Sequence, residues 1–212
     1  MRQWSQMTIA KRARKRAAKL ATFRDEGVGV YERDLSLKET NLDRGRLVHD
    51  KSVWGEAGGR GGFVHFGPKA PKLLIEEVIV HEFCHVAQHR LRAHRRNCGE
   101  PLRGADGHGR VFVSLLLSAS AEFFKMTTAE RKAVLKTWEA KKQTQKEGLA
   151  EHRAIIRNDV NRWGHKVDRR SDHSYSRPLE LDRAYWEVRT SRIHGYLLDD
   201  AILEVLRERG ER

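Results

Sequence analysis

Between Pro71 and Arg96 the chain keeps a helical period without a break, and this run constrains the fold more than any other feature. Leu74, Ile75, Val78, Ile79, Phe83 and Val86 fall three and four residues apart, making a wide apolar stripe. Pro71 suits the first turn, where its missing N–H costs nothing. The stripe anchors the helix in a core, and the rest of the domain has to pack around it.

The middle of this helix reads "VIVHEFCHVAQHR". Residues four apart on a helix share a face, so His81 and His85 can direct both imidazoles at one ion. Zn–N bonds of about 2.0–2.1 Å are within their reach. Glu82 is rotated by about 100° from His81, so it can stand beside the ion and reach a water there without being a ligand. Cys84 points elsewhere and reads as a small buried residue.

A catalytic zinc takes a third protein ligand and keeps one position open. His89 continues the same face but lies ~12 Å along the axis from His81, too far to share a tetrahedral ion. His108, in "GHGRVF" at the start of a second apolar helix, is the better candidate. The helix beyond Val86 carries the chain ~16 Å away. Residues 97–107 can extend roughly 36 Å, so return to the ion is easy. His65 keeps a smaller claim, because its strand is a candidate wall of the cleft. His49, His94, His152, His165, His173 and His194 read as ordinary polar residues.

Around this centre the reading is α+β. "MTIAKRARKRAAKLATF" gives an amphipathic helix with Ile9, Ala13, Ala17, Leu20 and Phe23 inward and a basic outer face. That face is either a solvated surface or a site of phosphate contact. From Gly27 to Phe66 the short apolar pieces "VGVY", "RLVH", "SVW" and "GFVHF" predict a small antiparallel sheet, with "GEAGGRGG" as the loop before its last strand. A helix over about 108–125 follows, with Val111, Phe112, Leu115, Leu116, Ala119 and Phe123 inward. Thr127 and Glu130 then form a capping box. The next helix carries "EAKKQTQKE", which has no apolar face and belongs in water. Weaker helical patterns continue to the C-terminus, through "YWEVRTSRIHGYLLDDAILEVL".

The 212 residues carry a formal net charge of +13, which attracts polyanions at ordinary salt. Nucleic acid is the foremost such partner, with an acidic protein or an anionic membrane surface as alternatives. No run of about 18 apolar residues exists to span a membrane, and no secretory signal is expected. Cys84 and Cys98 are too few for a disulfide framework or a four-cysteine zinc ribbon, so a cytoplasmic setting is expected.

"VIVHEFCHVAQHR" followed by "DGHGRVF" resembles the SprT-like metallopeptidases, which include the Spartan proteases. Their pattern, His-Glu-x-x-His and then His-Gly-x-x-Phe, falls here on His81, Glu82, His85, His108, Gly109 and Phe112. The upstream "WGEAGGRGGFVHFGPKAPKLLIEEVIV" is similar to that family's Trp-containing hairpin. The likeness covers residues 45–125, with an interval between His85 and His108 that is long for the family.

The resemblance implies zinc bound by His81, His85 and His108, with Glu82 as general base, and a link to DNA-associated proteins. It implies a small sheet packed on an active-site helix pair of zincin type. On this reading residues 1–126 form the metallopeptidase domain with its basic helix. Residues 127–212 form a mainly helical extension of no assigned role. The expected function is a zinc-dependent endopeptidase acting on proteins or peptides, with "GFVHF" holding the substrate by strand addition. The other classes are a basic nucleic-acid-binding protein with a structural or vestigial zinc, and a hydrolase of a non-peptide bond.

Overall fold

The computed structural model describes residues 5–24, 29–39, 53–99, 108–163 and 197–210. These residues form an α+β structure with five α-helices and one three-stranded sheet. The helices are α1 (Gln6–Ala17), α2 (Lys72–Asn97), α3 (Arg110–Phe123), α4 (Thr128–Trp163) and α5 (residues 197–210). The strands are β1 (Leu35–Glu39), β2 (Val53–Gly58) and β3 (Gly61–Phe66).

Helix α2 is the axis of the domain. Ile75, Ile79, Val80, Phe83, Cys84 and Val86 are all fully buried along it, and Pro71 is its N-cap. Its last turn carries His94, Arg95 and Arg96, where cations complement the partial negative charge of the helix end. Helix α1 turns Ala10, Ala13 and Ala17 inward, and side chains this small let it lie close against its neighbours. Phe23, in the short 3₁₀ turn Ala21–Phe23, packs on Phe83 with ring centroids 6.3 Å apart. Arg14 donates to the Leu35 carbonyl at 2.9 Å and so ties α1 to β1.

The sheet departs from the antiparallel expectation. Its order is β1-β3-β2, with β1 parallel and β2 antiparallel to β3. The reason lies in the connections. Only Gly59 and Arg60 separate β2 from β3, and so short a turn forces the strands antiparallel. Strand β1 is joined to β2 by the longer segment 40–52 and escapes that constraint.

"GEAGGRGG" is therefore a hairpin, not a loop before a strand. Gly61 has φ +110, and a Cβ there would meet the Asp34 backbone 2.5 Å away. Only glycine fits. The expected strand at "VGVY" is also replaced: Glu32–Asp34 is a 3₁₀ turn, and the strand is the following "LSLKE", whose Leu35 is fully buried. "RLVH" lies outside the described residues.

Helix α3 starts at Arg110 with Gly109 as N-cap, two residues later than its periodicity suggests. The capping box at α4 is present: Glu130 N–H donates to Thr127 Oγ1 at 3.2 Å, and Thr127 N–H donates to Glu130 Oε2 at 2.7 Å. Helix α5 shares the central core through Leu198, Ala201, Ile202, Leu203, Val205 and Leu206. Arg209 fastens it, donating to both Glu130 carboxylate oxygens at 2.6 and 3.1 Å and to the Phe124 carbonyl at 3.0 Å. Among the described residues no helix is long and apolar enough to cross a membrane.

Candidate metal centre

His81 and His85 lie one turn apart on α2, and His108 enters from the turn before α3. His85 Nε2 is 3.1 Å from His108 Nε2, and His108 Nε2 is 3.2 Å from His81 Nε2. Ligand nitrogens around a tetrahedral zinc with bonds of 2.0–2.1 Å stand roughly 3.3 Å apart. His108 Nε2 thus stands at about ligand spacing from both of the others, and the three residues could hold a metal ion. His108 does return to α2, 23 positions after His85.

Phe112, fully buried, packs against all three imidazoles. Its ring is stacked on His85 with centroids 4.3 Å apart, and lies 4.6 Å from His108 and 4.8 Å from His81. One apolar ring thereby packs on three imidazoles and keeps water from one side of them. The charge state suits ligation too. Burial, reinforced by the neighbouring His81 and His108, pushes His85 down to about 2, leaving it neutral with a lone pair to offer.

Glu82 lies beside this cluster and is only 4% exposed. Its Oε2 is buried with no hydrogen-bond partner, and the residue lines a cleft of about 230 Å³. Burial raises the Glu82 carboxyl to about 7; His81 opposes the rise, while Glu77 and Glu56 add to it. Strand β2 forms one wall of the cleft through Val53, Gly55, Glu56 and Ala57.

Two cleft residues escape a reading of the sequence. Gly55 falls in the stretch expected to be a loop. Asp199 has no expected role, yet its carboxylate accepts from His81 Nδ1 at 2.9–3.0 Å. The available signal for Asp199 is an acid on the apolar face of α5, in line with Ile202, Leu203 and Leu206; acids there are seldom unpaired. Asp199 also brings a second donor group together, with Glu77 and His81.

The remaining histidines stay apart. His89 is exposed at the next turn of α2, and His65 lies on the opposite face of β3 from the buried Val64 and Phe66. His94 is exposed near the end of α2. His49, His165, His173 and His194 are outside the described residues, as is the side chain of His152. Cys84 is buried and is not part of the histidine cluster.

Strand β3 cannot take a further strand, because β1 and β2 occupy both of its edges. The expected role of "GFVHF" in strand addition is therefore overturned. Strand β2, which lines the cleft, pairs only with β3 among the described residues.

In comparisons with known proteins, no family model, no curated protein and no solved structure matches this chain. The centre itself therefore carries the functional reading.

Proposed function

We propose that the protein is a zinc-dependent endopeptidase with a zincin-type helix pair, in which His81, His85 and His108 are the ligands and Glu82 is the general base. One observation carries this reading. Three imidazole nitrogens converge at ligand spacing beside a buried carboxylate whose Oε2 has no partner of its own. A structural zinc takes four protein ligands and needs no such carboxylate.

Bound there, zinc supplies Lewis-acid chemistry, acidifying a water and polarising a carbonyl. Glu82 takes the proton of the attacking water on its carboxylate and later delivers it to the leaving amine. A carboxyl held near neutrality by burial is suited to both transfers. Phe112 keeps the histidines aligned. An extended peptide pairs with the edge of β2 that faces away from β3, reading main chain more than side chains.

The basic surface supports recruitment to DNA, where protein substrates would lie. Part of that charge is already engaged: Arg14 bonds to the Leu35 carbonyl, Arg16 pairs with Glu76 at 3.6 Å, and Arg90 pairs with Asp34 at 2.8 Å. Lys11, Lys15 and Lys19 are exposed on or just beyond α1. These three are the phosphate-binding candidates.

The test is bound zinc and casein cleavage in wild type, Glu82→Gln and His108→Ala. Stoichiometric zinc is expected in the first two, cleavage in wild type alone, and neither in His108→Ala. Equal cleavage by Glu82→Gln, or a wild type without zinc, would end the peptidase reading.

A further inference from the structure

Imidazole has two nitrogens, and a metal ligand must keep one of them free of its proton. For His81 the second nitrogen is spoken for. Nδ1 lies 2.9 Å from Asp199 Oδ2 and 3.0 Å from Oδ1, and both side chains are 7% exposed. An ionised carboxylate only accepts, so the proton sits on Nδ1 and the lone pair on Nε2. That lone pair is on the nitrogen 3.2 Å from His108 Nε2. Asp199 comes from α5, 118 positions from His81. Its helix is held by buried Ile202, Leu203 and Leu206 and by the Arg209 clamp.

Resting on the metal-centre reading above, we infer that Asp199 is a positioning residue for the metal ligand His81, and that the centre is complete only when α5 is docked. Asp199 fixes the tautomer and the ring orientation of His81. In this buried setting its negative charge also strengthens His81 as a donor to a cation. Leu203, one turn further along α5, lines the same cleft. Undocking α5 therefore removes a hydrogen-bond acceptor from the centre and a wall from the cleft together. The second donor group, Glu77 with His81 and Asp199, contains both residues of that hydrogen bond. A metal there would have to displace the hydrogen bond that orients His81.

The experiment measures Zn²⁺ and Co²⁺ affinity of the full chain by competition with a chelating dye, alongside melting curves in chelator. Asp199→Asn can donate from its amide and hold the wrong tautomer, and is expected to bind metal about 10–100-fold more weakly. Leu206→Ala trims the packing of α5 but leaves the helix docked with Asp199 on His81, and is expected to stay within about twofold of wild type while folded. Equal weakening in both variants would make Asp199 a fold-supporting residue only and overturn the inference. So would Asp199→Asn binding like wild type while His85→Ala loses metal, an outcome that leaves the metal centre standing. Loss in Glu77→Gln with retention in His85→Ala and His108→Ala would place the ion on the other donor group, overturning both.

Discussion

Gly55 and Glu82 share one small space: a Cβ on residue 55 would lie 2.6 Å from both Cγ and Oε1 of Glu82. The hairpin strand β2 thus presses its bare backbone against the carboxylate, and any side chain there must push Glu82 aside. Gly55→Ala is expected to lower peptidase activity by about 100-fold, the scale of a misplacement near 1 Å. Zinc content should be unchanged, since Glu82 is outside the proposed ligand set. Full activity with bound zinc would show that Glu82 has freedom to move.

Glu82 carries a stability cost in the metal-free protein. Burial raises its carboxyl from 4.5 to about 7, so the folded state holds this proton more tightly than the unfolded state does. The sign follows: this contribution favours folding most below pH 4.5 and declines as pH rises to about 7. Glu82→Gln cannot ionise and escapes the decline. In chelator at pH 8 the variant should be more stable than wild type, by about 3 kcal/mol at most, and the two should converge near pH 4.5. Urea midpoints across this range check it. A variant less stable at pH 8 would contradict the burial argument.

The Arg209 clamp titrates in the other direction. Hydrogen bonds from Arg209, then from Thr127, hold Glu130 down at about 2, against an ordinary 4.5. This stabilisation is fully present above pH 4.5 and disappears as pH falls towards 2. Arg209 is 41% exposed, so Arg209→Ala should cost only about 1 kcal/mol at pH 7. The gap to wild type should close on acidification between pH 4.5 and 2. A gap independent of pH would assign the effect to the Phe124 carbonyl bond instead.

Replacing Lys11, Lys15 and Lys19 together with Gln should weaken duplex DNA binding. For every phosphate that is no longer neutralised, the salt slope of log K should fall by about 0.9. Cleavage of casein without DNA should not change. An unaltered salt slope would move the phosphate-binding surface elsewhere on the chain.

What the sequence determined by itself is local. Spacings of three and four dictate a helix from Lys72 onward and place His81 and His85 on one face, because 3.6 residues per turn is a property of the backbone alone. The capping box at Thr127 is legible for the same reason. His108 is shown by chain length only to be within reach, a loose bound, since a segment able to extend roughly 36 Å has ~16 Å to return.

Tertiary structure decided the rest. Strand order depends on which edges meet, so only the folded sheet puts β3 in the centre and β2 on the cleft. Gly55 looks like turn punctuation until its close approach to Glu82 is seen. Asp199 is the clearest case, because no local period links residues 118 positions apart. Burying the face of α5 that carries Leu198 and Ile202 against the core is what brings a carboxylate to His81. Once there it must be paired, since an ionised group withdrawn from water is stable only beside a partner.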